Sequence, residues 1–193
     1  MNQPHDPSIL PADLPQPEDD GASDHLVGKP LHAIALPSTA GGTLDLATRP
    51  GRTVIYCFPR AGRPDVPLPD GWNDIPGARG CTPQSMAFRD QYDDIRALHA
   101  DVVGISTQSP DDQMEITERL NLPFPLLSDS DRRFAMSLDL PTFDVEDSVL
   151  IKRLTLIVTE GMIDHVFYPV FPPDKAAEEV IVWLLAHPRR PTV

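Results

Sequence analysis

The run Gly80-Cys81-Thr82-Pro83-Gln84 delivers one of the chain's two cysteines to the start of a helix, directly after a glycine. A helix start carries unpaired backbone N–H groups and the positive end of the macrodipole, and both stabilise a thiolate over a thiol. That placement favours a nucleophile. A buried inert cysteine or a plain cap uses the same position, and spacing alone leaves these readings open. A thiolate site is completed by a second cation, because charge spreading from sulfur at the transition state needs preorganised donors. Arg153, which leads the apolar run 154–158, is the candidate; Arg60, Arg63, Arg79 and Arg89 compete for the role. Any one of them also reads as a solvated surface charge.

Cys57 lies inside the apolar run 53–58, where burial raises a thiol's pKa and blocks access, so it reads as a core residue. The same strand leads towards the loop that carries Cys81, which keeps a resolving role for Cys57 as the alternative. The two cysteines form no CxxC pair, which disfavours a general disulfide exchanger. The histidines, His5, His25, His32, His99, His165 and His187, never fall at the spacings of metal ligands, so neither a metal nor another cofactor is expected.

The elements that must position these groups alternate. Residues 41–46 read as a turn and short strand, and 53–58 as a central strand buried on both faces. A loop rich in Pro and Gly follows over about 60–79, long enough to be a functional insertion, a lid or a docking surface, with Trp72 to pack it down. Thr82-Pro83 opens a helix running through Ala100 with Phe88, Tyr92 and Ile95 at helical spacing. A strand at 102–106, a helix from Ser109, an extended piece at 124–127 and a helix capped by 128–131 come next. Two runs, 154–158 and 162–167, flank Thr159-Glu160-Gly161 as a hairpin, and a last helix starts at Pro173-Asp174. The pattern predicts an α/β layered fold around a mixed sheet.

Sixteen Lys and Arg against 29 Asp and Glu give a net charge of −13, which disfavours nucleic-acid and anionic-membrane partners. No apolar run approaches the roughly 20 residues of a bilayer span, and the N-terminus lacks a secretory pattern, so a cytoplasmic location is expected. Residues 1–25 hold five prolines and no Lys or Arg and are predicted to be a flexible acidic arm; 26–193 form the folded domain.

Several separated blocks carry a resemblance. Val54-Ile55-Tyr56-Cys57-Phe58-Pro59, the helix start Gly80-Cys81-Thr82-Pro83-Gln84-Ser85-Met86-Ala87-Phe88-Arg89-Asp90, Val102-Val103-Gly104-Ile105-Ser106, Pro125-Leu126-Leu127-Ser128-Asp129 and Lys152-Arg153-Leu154-Thr155-Leu156-Ile157 resemble, in order, the peroxiredoxins of the alkyl hydroperoxide reductase and thiol-specific antioxidant superfamily. Within it, the bacterioferritin-comigratory, Q-type subgroup is most similar, over roughly 26–185. The resemblance implies a thioredoxin-like fold and reduction of hydrogen peroxide or organic hydroperoxides, with Cys81 as the peroxidatic nucleophile, oxidised to a sulfenic acid and restored by a thiol. It implies that Arg153 holds thiolate and peroxide, that Pro59 opens the active-site motif, and that Thr82 and Gln84 line the substrate site. Arg89 is a weaker carry-over.

This chain departs from the pattern at four places. The 60–79 insertion separates Pro59 from Cys81, Ala78 replaces the motif hydroxyl, Met86 replaces a resolving cysteine, and Gln84 replaces an acid. A thioether cannot attack a sulfenic acid, so a one-cysteine cycle is expected, with a low-molecular-weight thiol or a thioredoxin-type protein as reductant. The alternatives are a cycle through Cys57, and a weakly active or inactive redox sensor that binds a partner through the insertion. A monomer or a homodimer is expected.

Overall fold

The computed structural model describes residues 6–189. Two short strands, β1 (Ala35–Pro37) and β2 (Thr43–Asp45), pair antiparallel ahead of the main sheet. The main sheet takes β3 (Arg52–Cys57), whose β-branched and aromatic residues make a strand buried almost end to end. After the insertion come α1 (Cys81–Asp90) and α2 (Tyr92–Ala97), where the sequence predicts one helix. The backbone leaves helical geometry at Gln91, with φ −108° and ψ 13°. That break sets Tyr92 against Phe124, ring centroids 5.5 Å apart, while Ile95 stays in the core.

The chain continues through β4 (Ala100–Ser106), α3 (Pro110–Leu120), β5 (Leu126–Ser128) and α4 (Arg133–Leu138). The Ser109 hydroxyl caps α3 by accepting from the Asp112 N–H, and the Asp129 carboxylate caps α4 by accepting from Phe134 and Ala135 N–H, both at 2.9 Å. A small hairpin, β6 (Thr142–Val145) with β7 (Ser148–Ile151), precedes β8 (Leu154–Thr159), β9 (Met162–Phe167) and α5 (Ala176–Ala186).

The five-stranded sheet has the order β5-β4-β3-β8-β9, with β3 parallel to β4 and antiparallel to β8. Alternation along β3 divides the core. Val54, Tyr56 and Phe58 face a layer containing Phe88, Ile95, Ile116 and Val180, supplied by α1, α2, α3 and α5. Ile55 and Cys57 face the opposite layer with Phe134 and Leu138 of α4 and Leu26. Expected and observed architectures agree: this is the thioredoxin-like arrangement of a mixed sheet between helices.

Residues 1–5 of the arm lie outside the described residues. From Asp6 the arm is laid along the body, where composition alone predicts a free segment. Asp20 bonds Lys152 Nζ at 2.6 Å and accepts from the Tyr168 hydroxyl at 2.7 Å, Ser23 is buried, and the His25 Nε2 sits 2.9 Å from Leu138 O. The insertion is anchored too. Trp72 is buried beside Val145 and Leu150 of the small hairpin, with Phe143 against its ring.

Candidate functional site

The antiparallel register pairs Cys57, at the end of β3, with Leu154, at the start of β8. Arg153 therefore falls at the end of the two central strands, where the chain leaves β3 for the insertion and returns as α1. Its side chain is 3% exposed. Arg153 Nη2 lies 3.3 Å from Cys81 Sγ and 3.1–3.2 Å from the carbonyl oxygens of Gly77, Ala78 and Arg79, sharing its two hydrogens among them. Its Nη1 donates to Gln84 Oε1. One guanidinium thus ties the sulfur, the end of the insertion and the first turn of α1 together, which a planar fork does and a point ammonium does not.

Cys81 is the first residue of α1 and is 2% exposed. As a thiol it donates to Ala78 O at 3.6 Å, so a backbone carbonyl stands at the position that lacks the motif hydroxyl. Gly80 makes the approach: its φ of +105° is a left-handed conformation, and a Cβ there would overlap Pro173 and come within 2.9 Å of Leu10 Cδ1. Tyr56 fixes the height of α1 over the sheet. Its hydroxyl donates to Ser85 Oγ at 3.1 Å, its ring stacks on Phe88 at 4.6 Å, and burial pushes its phenol well above the usual range. Gly104 admits that ring, since a Cβ on Gly104 would lie 2.7 Å from Tyr56 Cζ.

Four buried polar atoms on Cys81's chain neighbours and on Arg153 have no protein partner: Thr82 Oγ1, Gln84 Nε2, Arg153 Nε and Arg79 Nε. Unsatisfied buried groups are costly, and a cluster of them beside a nucleophile is what a small polar substrate would satisfy. Thr155 Oγ1, one strand position beyond Leu154, is likewise unpartnered. Sequence reasoning did not single it out, because a threonine in an apolar strand reads as β-propensity.

The structure brings Cys81, Arg153, Thr82 and Gln84 together. Pro59 is buried just past the end of β3, at the same end of the sheet. Of the arginines that compete with Arg153, Arg60 bonds Ser148 Oγ, Arg63 pairs with Asp65 in solvent, and Arg89 pairs with Asp90 and reaches Leu120 O. Arg79 alone among these four is buried, next to Gly80. Cys57 is not brought to Cys81. Both thiols are free, and Cys57 points into the opposite core layer, fully buried, with burial pushing its thiol well above the usual range.

One cavity borders the site and another lies apart from it. One of about 210 Å³ is lined by Arg153, Gly77, Ile75, Phe143, Tyr168 and Val170 and by Pro17 and Glu18 of the arm. The other, a groove of about 890 Å³, lies under the insertion between Arg60, Val66, Gln108 and Ser148, away from Cys81. Among the described residues no cluster of His, Cys, Asp and Glu is arranged to hold a metal, and no helix is long and apolar enough to cross a membrane.

This thiol at a helix start, contacted by a buried arginine at the end of the central strands, sits in a chain that belongs to the redoxin family, matching it over residues 26–181. Relatives within that family include Q-type peroxiredoxins. Peroxiredoxin Bcp of Escherichia coli (strain K12) is 28% identical over 159 residues, covering 80% of this chain and 92% of that protein. The chloroplastic Peroxiredoxin Q of Populus jackii is 26% identical over 155 residues, covering 80% of this chain but 65% of the longer plant protein. Among solved structures, Peroxidoxin BcpB from Mycobacterium tuberculosis superposes with a TM-score of 0.67 at 24% identity, covering 83% of this chain and 97% of that one, a likeness of fold.

Proposed function

We propose that this protein is a thiol-dependent peroxidase working through a one-cysteine cycle at Cys81. The thiolate attacks the terminal oxygen of a peroxide, forming the S–O bond as the O–O bond breaks. The leaving alkoxide or hydroxide takes up a proton, and Cys81 is left as a sulfenic acid. A first external thiol displaces water from the sulfenic acid to give a mixed disulfide, and a second thiol attacks that disulfide to release Cys81 and an oxidised thiol pair. Arg153 stabilises negative charge on sulfur and on the departing oxygen, and Thr82 and Gln84 supply unpartnered hydrogen-bonding groups to the peroxide.

The observation that carries this reading is Arg153 Nη2 at 3.3 Å from Cys81 Sγ, with both groups almost fully buried. The placement of Cys57 in the other core layer supports the external-thiol cycle, since a disulfide needs Cα atoms within about 7 Å and facing Cβ vectors. The test is peptide mass spectrometry after one equivalent of hydrogen peroxide, with a sulfenic-acid trap and no reductant. Trapped Cys81 with Cys57 as free thiol is expected. A Cys57–Cys81 disulfide would replace the one-cysteine cycle with a two-cysteine one, and a Cys81 that stays reduced for minutes would overturn the peroxidase reading.

A further inference from the structure

Arg79, two residues before Cys81, is a buried charged side chain that the mechanism above does not use. It is 8% exposed, and its Nη2 donates to two backbone carbonyls of the N-terminal arm, Asp6 O at 2.9 Å and Ile9 O at 3.1 Å. Its own carbonyl is one of the oxygens that Arg153 grips. The same arm places Leu10 over Gly80 and Pro17 within 3.5 Å of where a Cβ on Gly77 would lie, and is pinned further on by Asp20 to Lys152, the residue before Arg153. The printed hydrogen bonds of its Nη2 are to neutral carbonyls rather than to a carboxylate fork, so they orient the guanidinium, while the Asp6 charge acts on it through space. Burial pushes Arg79 below the usual arginine range, opposed by the negative charges of Cys81 and Asp6.

We propose that Arg79 is a second guanidinium stabilising the Cys81 thiolate through space, and that the docked arm, by holding Arg79 at the Asp6 and Ile9 carbonyls, sets the strength of that stabilisation. The arm thereby becomes part of the active site, and its docking is coupled to the reactivity of the sulfur. The inference deepens the peroxidase reading. Among the described residues, Arg153, just before β8, contacts the sulfur, and Arg79 of the loop and Tyr56 of β3 interact with it electrostatically, with Asp6 of the arm acting on Arg79. The segment just ahead of α5 and the first turn of α5, both against α1, add Lys175, which is paired with Glu178 at exposed positions, and the exposed Asp174 and Glu179.

The test needs no peroxide, so it is independent of turnover: the pH profile of Cys81 alkylation by iodoacetamide in the full chain, with circular dichroism to establish folding. Removing a cation from beside a thiolate moves the profile to higher pH. Arg79→Gln is expected to move its midpoint up by roughly half a pH unit or more, and Arg79→Lys to restore most of that shift. A released-arm variant, Leu10→Ser with Asp20→Ala, is expected to expose the arm to limited proteolysis and shift the midpoint in the same direction. Adding Arg79→Gln to it should produce no full second shift, because both changes remove one interaction.

An unchanged midpoint in Arg79→Gln, or equal shifts in Arg79→Lys and Arg79→Gln, would overturn the electrostatic role. Full additivity would overturn the coupling to the arm. Should Arg79→Gln lose its fold, the released-arm variant decides by itself, since it leaves Arg79 in place: an upward shift supports the proposal and an unmoved profile refutes it. A protein that consumes no peroxide but shows these shifts would refute the peroxidase reading and leave the assignment of Arg79 standing.

Discussion

Replacing Arg153 with alanine tests the arrangement at its centre. The guanidinium makes a charge-assisted contact to Cys81 Sγ in a nearly dry site, and a hydrogen bond to a charged group contributes about 1.5–3 kcal/mol. If that contact persists while charge spreads to the departing oxygen, its loss slows peroxide attack by about 10- to 150-fold, at 1.36 kcal/mol per decade. The same truncation strands the carbonyls of Gly77, Ala78 and Arg79 and the Gln84 amide oxygen, so the end of the insertion should loosen as well. Arg153→Lys separates the two effects. A lysine keeps the charge but cannot span the α1 side and the loop side as Nη1 and Nη2 do, so it should recover part of the rate and little of the lost melting temperature. Rapid-quench reaction with hydrogen peroxide, trapping the Cys81 sulfenic acid, gives the rate constant. A folded Arg153→Ala protein within threefold of the parent rate would refute the electrostatic argument and pass the role to another cation.

Other consequences are direct. Cys57→Ala should leave the peroxide rate constant unchanged and cost about 1 kcal/mol in denaturant unfolding, as expected for trimming a small core group; a loss of turnover would bring Cys57 into the cycle. Gly104→Ala should displace the Tyr56 ring and lower both the melting temperature and the Cys81 rate, because Tyr56 sets the position of α1 through Ser85; an unchanged rate with reduced stability would separate that contact from the chemistry. Asp20 is held down to about 2 by its bonds to Lys152 and Tyr168. A depressed carboxylate stabilises docking above its unfolded value near 3.8, and that contribution is lost as pH falls through about 2. Arm proteolysis should therefore rise across that interval in the parent and be insensitive to it in Asp20→Asn, with a modest amplitude because the carboxylate is nearly half exposed.

The legible part of this protein is the part with periodicity. An apolar strand of β-branched and aromatic residues, a Ser or Asp before a helix and a Glu-Gly turn between two apolar runs are local signals, so β3, α3, α4 and the β8–β9 hairpin fall where the sequence puts them. The β6–β7 hairpin carries no such signal, because its turn has no glycine or asparagine: Glu146 adopts φ +52° there, a conformation that sequence patterns assign to other residues. Arg153 became a candidate because it leads an apolar strand. In the sequence Arg79 is no different from Arg60 and Arg63, because nothing in a Pro- and Gly-rich loop states which way a side chain turns.

The arm is the clearest case of information that composition conceals. Few apolar residues and many prolines predict a segment unable to offset its ordering entropy by burial. Proline lowers that cost, since a chain already restricted at φ has fewer states to lose. The docked arm then needs only a few fixed points: Pro17 beside Gly77, Asp20 on Lys152 and Tyr168, and its own carbonyls at Asp6 and Ile9 turned towards Arg79. The last of these involve backbone oxygens, which every residue carries. No residue type in the arm marks them, and the buried guanidinium that selects them lies some seventy positions away, at the end of an insertion that is itself anchored by Trp72 on the β6–β7 hairpin. Hairpin, insertion, Arg79 and arm thus form one chain of supports that meets at Cys81. The arm's part in the site follows from that connectivity, which no single segment's composition encodes.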